Sequence, residues 1–437
     1  MSANIFNSLR VQNLCNYIKF CESNIVYSFL GRTQPWPNSD TTAPIVCDTD
    51  KNVRQYYKDI IGLKRVTADD IRIVIPRINW KVDTVYDEYD DAINMVDDKN
   101  PVTNDFYKFY VVTDEDNVYK CIFNNHSSAS TVKPTGNELG VFETSDGYKW
   151  KFMYTIKSDD VKKFMTSSFI PCYRLLADDR SRQWLVQKNA VSGAIHNIKI
   201  SGSGTFDQSN PPDVIVTGDG SGCTAKAIIN SKGQLTNIAI TSSGKNYTNA
   251  TATLKLYDNT SINNIICTPV ISPSGGHGSN PVLELGGYYL MVHSVFNGAE
   301  SDLPVNVQYR QVGLLSLPEG KEKGIALTLN NVNNIAVGSN IRCDNGSAVA
   351  VHVDVINNIV YVQSNATIFS NNISTVSVDE RSYNVFSITE KTLPLTASVV
   401  LPDAYKSGTG TIIYSATRTP IQRNKDQPDR MRFVIGF

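Results

Sequence analysis

The stretch Ser145-Asp146-Gly147-Tyr148-Lys149-Trp150-Lys151-Phe152-Met153-Tyr154-Thr155-Ile156 decides how this chain folds. Asp-Gly is a tight-turn dipeptide: a short polar side chain followed by a residue without Cβ accepts the backbone angles that reverse a strand. Tyr148, Trp150, Phe152, Tyr154 and Ile156 then recur at strict period two, the spacing of one strand face. The pattern predicts a half-buried strand whose other face, Lys149, Lys151, Met153 and Thr155, meets solvent or a neighbouring subunit.

Strand signals continue on either side. Upstream, Ile71, Ile73 and Ile75 alternate with Arg72 and Val74 until Pro76 removes the next backbone donor. Downstream, Ser158 is placed to cap a short helix through Val161 and Phe164. The first fifty residues read as helix, loop, helix. Leu14, Tyr17, Ile18 and Cys21 form one helical face with an exit at Ser23-Asn24. Val53, Tyr57 and Ile60 form a second behind a capping Asp50, with Gly62 as its C-terminal cap, which predicts two packed surface helices.

Composition changes near Val191. Charge becomes sparse, and all four tryptophans (36, 80, 150 and 184) lie before this point. Asn197-Ile198-Lys199-Ile200 with Gly204 recurs as Asn237-Ile238-Ala239-Ile240 with Gly244, predicting two similar β-hairpin units in a small accessory domain. Residues 319–400 are Asn-rich and again β: Val351, Val353 and Val355 alternate with His352 and Asp354, Asn357-Asn358 turns, and Ile359 to Val362 returns as a hairpin partner. The chain closes on an alternating strand, Met431, Phe433, Ile435 and Phe437, which must be paired to avoid leaving an aggregation-prone edge.

The 437 residues suffice for about three domains. Basic and acidic side chains, 41 and 42, nearly cancel, so no global positive field draws in nucleic acid or an anionic membrane. Eight cysteines without a C-x-x-C pair suit free thiols, and five scattered histidines give no linear metal signature. No apolar run approaches the length of a membrane span, and residues 1–10 lack the pattern of a secretory signal, so folding in a cytoplasm is the expectation.

Three stretches invite chemistry. Gly275-Gly276-His277-Gly278 has the glycine content of an oxyanion loop, but no G-x-S-x-G accompanies it and a tight turn is the favoured reading. Gly218-Asp219-Gly220-Ser221-Gly222 has the glycines of a phosphate loop, but the residues after it read as strand, again a turn. Asp83, Asp87, Glu88, Asp90, Asp91, Asp97 and Asp98 crowd together without a base among them: a solvated loop, a charged wall for a partner, or the carboxylates of a glycan hydrolase, in that order. No nucleophile, base or cofactor loop favours an enzyme, and no cofactor or metal is expected.

Five strings, in this order, resemble one family: Phe29-Leu30-Gly31-Arg32-Thr33-Gln34-Pro35-Trp36; Val74-Ile75-Pro76-Arg77-Ile78-Asn79-Trp80; Asp146-Gly147-Tyr148-Lys149-Trp150; Tyr309-Arg310-Gln311-Val312-Gly313-Leu314-Leu315; and a tail from Thr419-Pro420-Ile421-Gln422-Arg423 through Asp426-Gln427 to Phe437. Together they resemble the baseplate wedge subunit, gene product eight, of T-even-like contractile-tailed bacteriophages. The resemblance covers roughly 1–190, 271–318 and 401–437, which divides the chain into a wedge core in three pieces with inserted small β domains at 191–270 and 319–400.

The resemblance implies a mainly β fold, with β-sandwich domains and a few amphipathic helices. It implies a homodimeric structural protein of the virion tail, assembled in the host cytoplasm, which joins other wedge proteins around a central hub and takes part in the rearrangement before sheath contraction. It carries over no catalytic residue. Structural or interface candidates within the strings are Gly31, Arg32, Pro35, Trp36, Pro76, Arg77, Trp80, Asp146, Gly147, Tyr148, Trp150, Arg310, Gln311 and Phe437. In Gly31 to Trp36, Gly permits an unusual backbone angle, Pro fixes φ and Trp anchors the loop. Arg32, Arg77 and Arg310 suit bidentate bonds across a joint, although stabilising the subunit itself is the favoured role. The alternative from another class is a receptor- or glycan-binding tail protein with 191–270 as its head.

Overall fold

A computed structural model of the chain describes residues 5–258, 260–298, 303–319, 323–336, 339–363, 368–369, 372–392 and 399–437. The fold is mainly β, built from antiparallel sheets and a closed barrel with a few helices. Two compact units divide it: Met1–Asn16, Arg72–Met291 and Phe433–Phe437 form the first, Tyr17–Ile71 and Val292–Arg432 the second.

In the first unit the Asp-Gly turn closes through a hydrogen bond of 2.9 Å from Gly147 N to Thr144 O, with Gly147 at φ 81°. It joins Val141–Glu143 to Lys149–Thr155, and these extend into a four-stranded sheet with Asn117–Phe123 and Tyr110–Val112. The period-two stripe does not run its full length. Tyr119 opposes Phe152 and Val118 opposes Tyr154, which leaves Met153 as the extra residue of a bulge. Tyr148, Trp150 and Phe152 therefore pack on one face with Tyr86, Tyr119 and Val186, while Tyr154 and Ile156 join Met153, Ile75 and Ile170 on the other.

That second face is open to solvent only at its ends, where Thr155 is exposed and Lys149 half-buried. Met153 is fully buried and Lys151 is 3% exposed, because Val282 and Leu285 and a second sheet cover them. The second sheet has the order Asp429–Gly436, Tyr289–Phe296, Ile71–Pro76, Phe169–Pro171. In Ile71–Pro76 both faces are packed, Val74 against Phe164 and Met291, Ile75 against the core just described. Pro76 ends the strand, exposed. The terminal strand is paired, and Phe437 N donates to Tyr288 O at 3.1 Å. Helix Ser158–Phe164 forms with Ser158 as its first residue rather than its cap.

Residues 195–271 form one six-stranded sheet instead of two hairpin units. The repeat copies lie in Ile195–Ser201 and Leu235–Lys245, the two ends of the strand order, and the sheet curls until these ends approach each other. Ile198 and Ile238 then share one core with Leu254. Neither copy buries its isoleucine alone, so the repeat is satisfied by closure on itself. Gly218 to Gly222 is a strand-to-strand turn: Thr248 Oγ1 donates to Asp219, Thr248 N and Asn249 N donate at 2.9 and 3.0 Å, and these bonds hold the carboxyl down to about 2.

In the second unit the sheet order is Val399–Val400, Ile60–Val66, Val26–Gly31, Gln308–Ser316, Thr411–Gln422. Val26–Gly31, read as loop from sequence, is central and buried throughout. A strand covered on both faces has no alternation to betray it. The helix after it spans Asp50–Asp59 and is capped by Thr49, not Asp50. The chain passes directly into the next strand, so Ile60 and Gly62 are strand residues. Gly62 is needed for room: a Cβ there would sit 2.2 Å from Leu303 Cδ1. The earlier helix runs Asn7–Ser23 and buries Leu14 and Cys21. A closed six-stranded barrel occupies 323–392, its hairpin of Gly346–Asp354 and Ile359–Gln363 turning where Asn358 has φ 55°. Leu327, Leu329, Ile341, Val360 and Val362 fill it.

Candidate functional site

Most of the candidate residues gather into two nodes, one in each unit, while Pro76 ends its strand and Phe437 closes the terminal one. In the second unit, Arg310 on the Gln308–Ser316 strand is 2% exposed and grips Asp40 through two bonds, Nε to Oδ1 at 2.8 Å and Nη2 to Oδ2 at 2.7 Å. Its Nη1 donates to Thr33 O at 2.7 Å, and its hydrogen bonds hold the Asp40 carboxyl below the usual range. The same carboxylate accepts from Trp36 N, and Trp36 Nε1 reaches Arg418 O at 2.9 Å on the edge strand. The Arg32 guanidinium lies 4.3 Å from the Trp36 ring centre and donates to Pro35 O and Asp59. Gln311, fully buried, donates to Ser415 Oγ at 2.8 Å. The loop after Gly31 is thus strapped across its sheet.

The positive φ lies one residue later than the sequence suggests, at Arg32 (56°). At Gly31 itself a Cβ would stand 3.2 Å from Asp59 O, where the Asp50–Asp59 helix ends, so a side chain there would be tight.

In the first unit, Asp146 is the hub. Its carboxylate accepts from Thr131 N at 2.9 Å, Val132 N at 3.0 Å, Ser130 Oγ at 3.1 Å and Thr144 Oγ1. Burial opposes its charge, but these bonds outweigh burial and hold it below the usual range. Trp80 Nε1 donates to Ser130 Oγ at 3.2 Å, which ties the second string to the third. Tyr148 and Trp150 are fully buried and stack at 5.4 Å, and Gly147 has no room for a side chain against Asn125. Arg77 donates to Thr166 O and Asn79 Oδ1. All three arginines offered for a joint are engaged inside their own chain.

Sequence reading missed a buried polar cluster. Lys120 and Lys151 face each other across paired strands, 0% and 3% exposed, a like-charge pair in the least favourable setting. One carboxylate serves them: Glu284 Oε2 lies 3.0 Å from Lys120 Nζ, and its Oε1 accepts from Gly278 N and Asn280 N. Lys120 also sits 3.9 Å over the Tyr89 ring, which meets His277 edge-on. His277 does lie in a tight turn, with Gly275, Gly276 and Gly278 all at positive φ, yet it is 4% exposed and burial drives its pKa well down. Lys151 donates to Leu139 O, and burial pulls it down to about 8. Only the strand pairing reveals the cluster, since Lys151 and Lys120 look like solvent-facing residues in sequence.

A pH dependence follows. Unfolded Lys151 stays protonated to about 10.5, so below about 8 its burial costs about 3 kcal/mol, a penalty that fades as pH rises through that window. Lys151→Met should raise the urea midpoint at pH 7 and reduce the rise in stability between pH 8 and 10 that the unaltered chain shows, leaving the share that buried Lys120 contributes. A variant with an unchanged pH profile would contradict this.

The acidic run is not a free loop. Asp87 accepts from Asn100 Nδ2 and Lys108 N, both at 2.6 Å, and Asp97 accepts from Arg10 and Tyr288. Lys199, in the first repeat copy, binds Asp90 at 2.6 Å with Glu88 3.7 Å away, and Ile271 N donates to Asp91 at 3.2 Å. The run anchors the six-stranded sheet. Searches against protein-family models and against curated proteins returned no match to this chain.

Proposed function

We propose that this chain is a non-enzymatic structural subunit of the baseplate wedge of a contractile phage tail, working as a homodimer among other wedge proteins. One observation carries the reading: four of the five strings that resemble the wedge family meet in pairs at the two nodes. Phe29 to Trp36 and Tyr309 to Leu315 meet at Arg310 and Asp40, and Val74 to Trp80 meets Asp146 to Trp150 through Ser130. The two stretches outside the resemblance instead form a sheet and a barrel with cores of their own. Nodes tied by several hydrogen bonds around buried Arg310, Gln311, Tyr148 and Trp150 keep modules rigid, which suits a part that changes neighbours without changing internal shape. A trigger would then shift the population between two arrangements of the same modules.

Co-expression with the other wedge genes of the same genome, followed by pull-down, tests this. The chain should be retained with a wedge protein and should run as a dimer by light scattering. A monomer at micromolar concentration that no wedge protein retains would overturn it.

A further inference from the structure

Asn-Gly occurs twice in the chain, at Asn297-Gly298 and Asn345-Gly346, and the two stand in opposite surroundings. This dipeptide carries its own reagents. The backbone nitrogen after an asparagine can attack that residue's side-chain amide carbon, and a following glycine, having no Cβ, leaves the approach uncrowded. In a folded chain the attack needs the intervening peptide group to be free to turn. At Asn297-Gly298 it is not: Asn297 O, part of that peptide group, accepts from Arg423 Nη2 at 2.7 Å, and Arg423 has no exposed surface. Gly298 is buried against Lys425 O, which a Cβ would overlap. Asn345-Gly346 is at the tip of a barrel hairpin, where Asp344 and Asn345 are the two residues between paired Cys343 and Gly346. Residues 344–347 are all exposed. Among the described residues no hydrogen bond holds the Asn345 side chain or its carbonyl, and a Cβ on Gly346 would meet nothing nearer than Ile368 at 3.4 Å.

We propose that Asn345 is a site of spontaneous deamidation, which converts the hairpin tip to a mixture of aspartate and isoaspartate. Gly346 N gives its proton to solvent base and bonds to Asn345 Cγ; the Cγ–Nδ2 bond breaks and the nitrogen leaves as ammonia, closing a five-membered imide. Water then opens the ring. Addition at Cγ yields aspartate, and addition at the main-chain carbonyl yields isoaspartate, whose backbone runs one carbon longer. Water is consumed and ammonia released, and nothing is oxidised or reduced. Either product sets a new carboxylate next to Asp344, and the longer backbone no longer fits a two-residue turn, so the pairing of Cys343 with Gly346 is lost. Ile341, two residues before that pair, fills the barrel core, so the module loosens as the chain ages. The proposal does not depend on the baseplate reading.

Peptide mass spectrometry of the full folded chain, sampled during incubation at neutral pH, tests it. The peptide carrying Asn345 should gain about one dalton and separate into two chromatographic forms, aspartate and isoaspartate. Asn345 should convert at least about tenfold faster than Asn297, which reacts only in the fraction of molecules whose Arg423 corner has opened. Raising the pH should speed the conversion, because the attacking nitrogen must lose its proton. In concentrated urea, where neither peptide group is held, the two asparagines should convert at similar rates. Asn345→Gln, whose longer side chain disfavours the five-membered ring, should remove the mass gain from this peptide. An Asn345 that stays intact in the folded chain while it converts in urea, or equal conversion of Asn297 and Asn345 without urea, would overturn the proposal.

Discussion

Glu284→Gln is expected to destabilise the first unit by about 3–5 kcal/mol at neutral pH. The glutamine keeps its shape and can still accept from Gly278 N and Asn280 N, so the loss isolates the charge. Without it, Lys120 and Lys151 remain buried side by side with no counter-ion, and the only relief is for one of them to deprotonate. Urea unfolding should show the drop, and the deficit should shrink as pH rises because the ammoniums discharge. Adding Lys120→Met should restore most of the loss, since replacing both partners of a buried pair by packed side chains is far milder than removing one. A single variant as stable as the parent chain would mean that the carboxylate does not hold the pair.

Arg423→Met should cost a similar amount in the second unit, about 3–5 kcal/mol. Arg423 has no exposed surface, and its guanidinium serves the Asp429 carboxylate together with Pro304 O at 2.9 Å, Asn297 O at 2.7 Å and Phe296 O at 3.4 Å. Its removal takes the charged partner from the mostly buried Asp429 carboxylate and the donors from three carbonyls at once. Arg423→Lys should rescue little, because one ammonium on a flexible stem cannot span acceptors arranged around a planar fork. Thermal unfolding of both variants checks this, and a lysine variant indistinguishable from the parent would show that charge alone, not fork geometry, is what the position needs.

Local signals were readable where one short segment sets them. The Asp146-Gly147 turn, the end of a strand at Pro76, the Asn357-Asn358 hairpin and the paired terminal strand each follow from a backbone preference or a period of two. Residues whose surroundings come from distant chain were misread. Val26–Gly31 looked like a loop because burial on both faces erases alternation, and the bulge at Met153 moved Tyr154 and Ile156 to the opposite face. Gly62 looked like a cap because nothing nearby in sequence announces Leu303.

The candidate residues divide the same way. Trp36, Arg310, Asp146 and Trp150 could be picked out as large or bidentate side chains in unusual strings, but their partners Asp40, Arg418 and Ser130 could not. Sequence by itself determined the β character of the chain, its turns and its near-zero net charge, because each depends on residues within a few positions or on simple addition. Tertiary structure alone decided which charges are buried: Lys120, Lys151, Glu284 and Arg423 become costly or indispensable only once strands far apart in the chain have excluded water from around them.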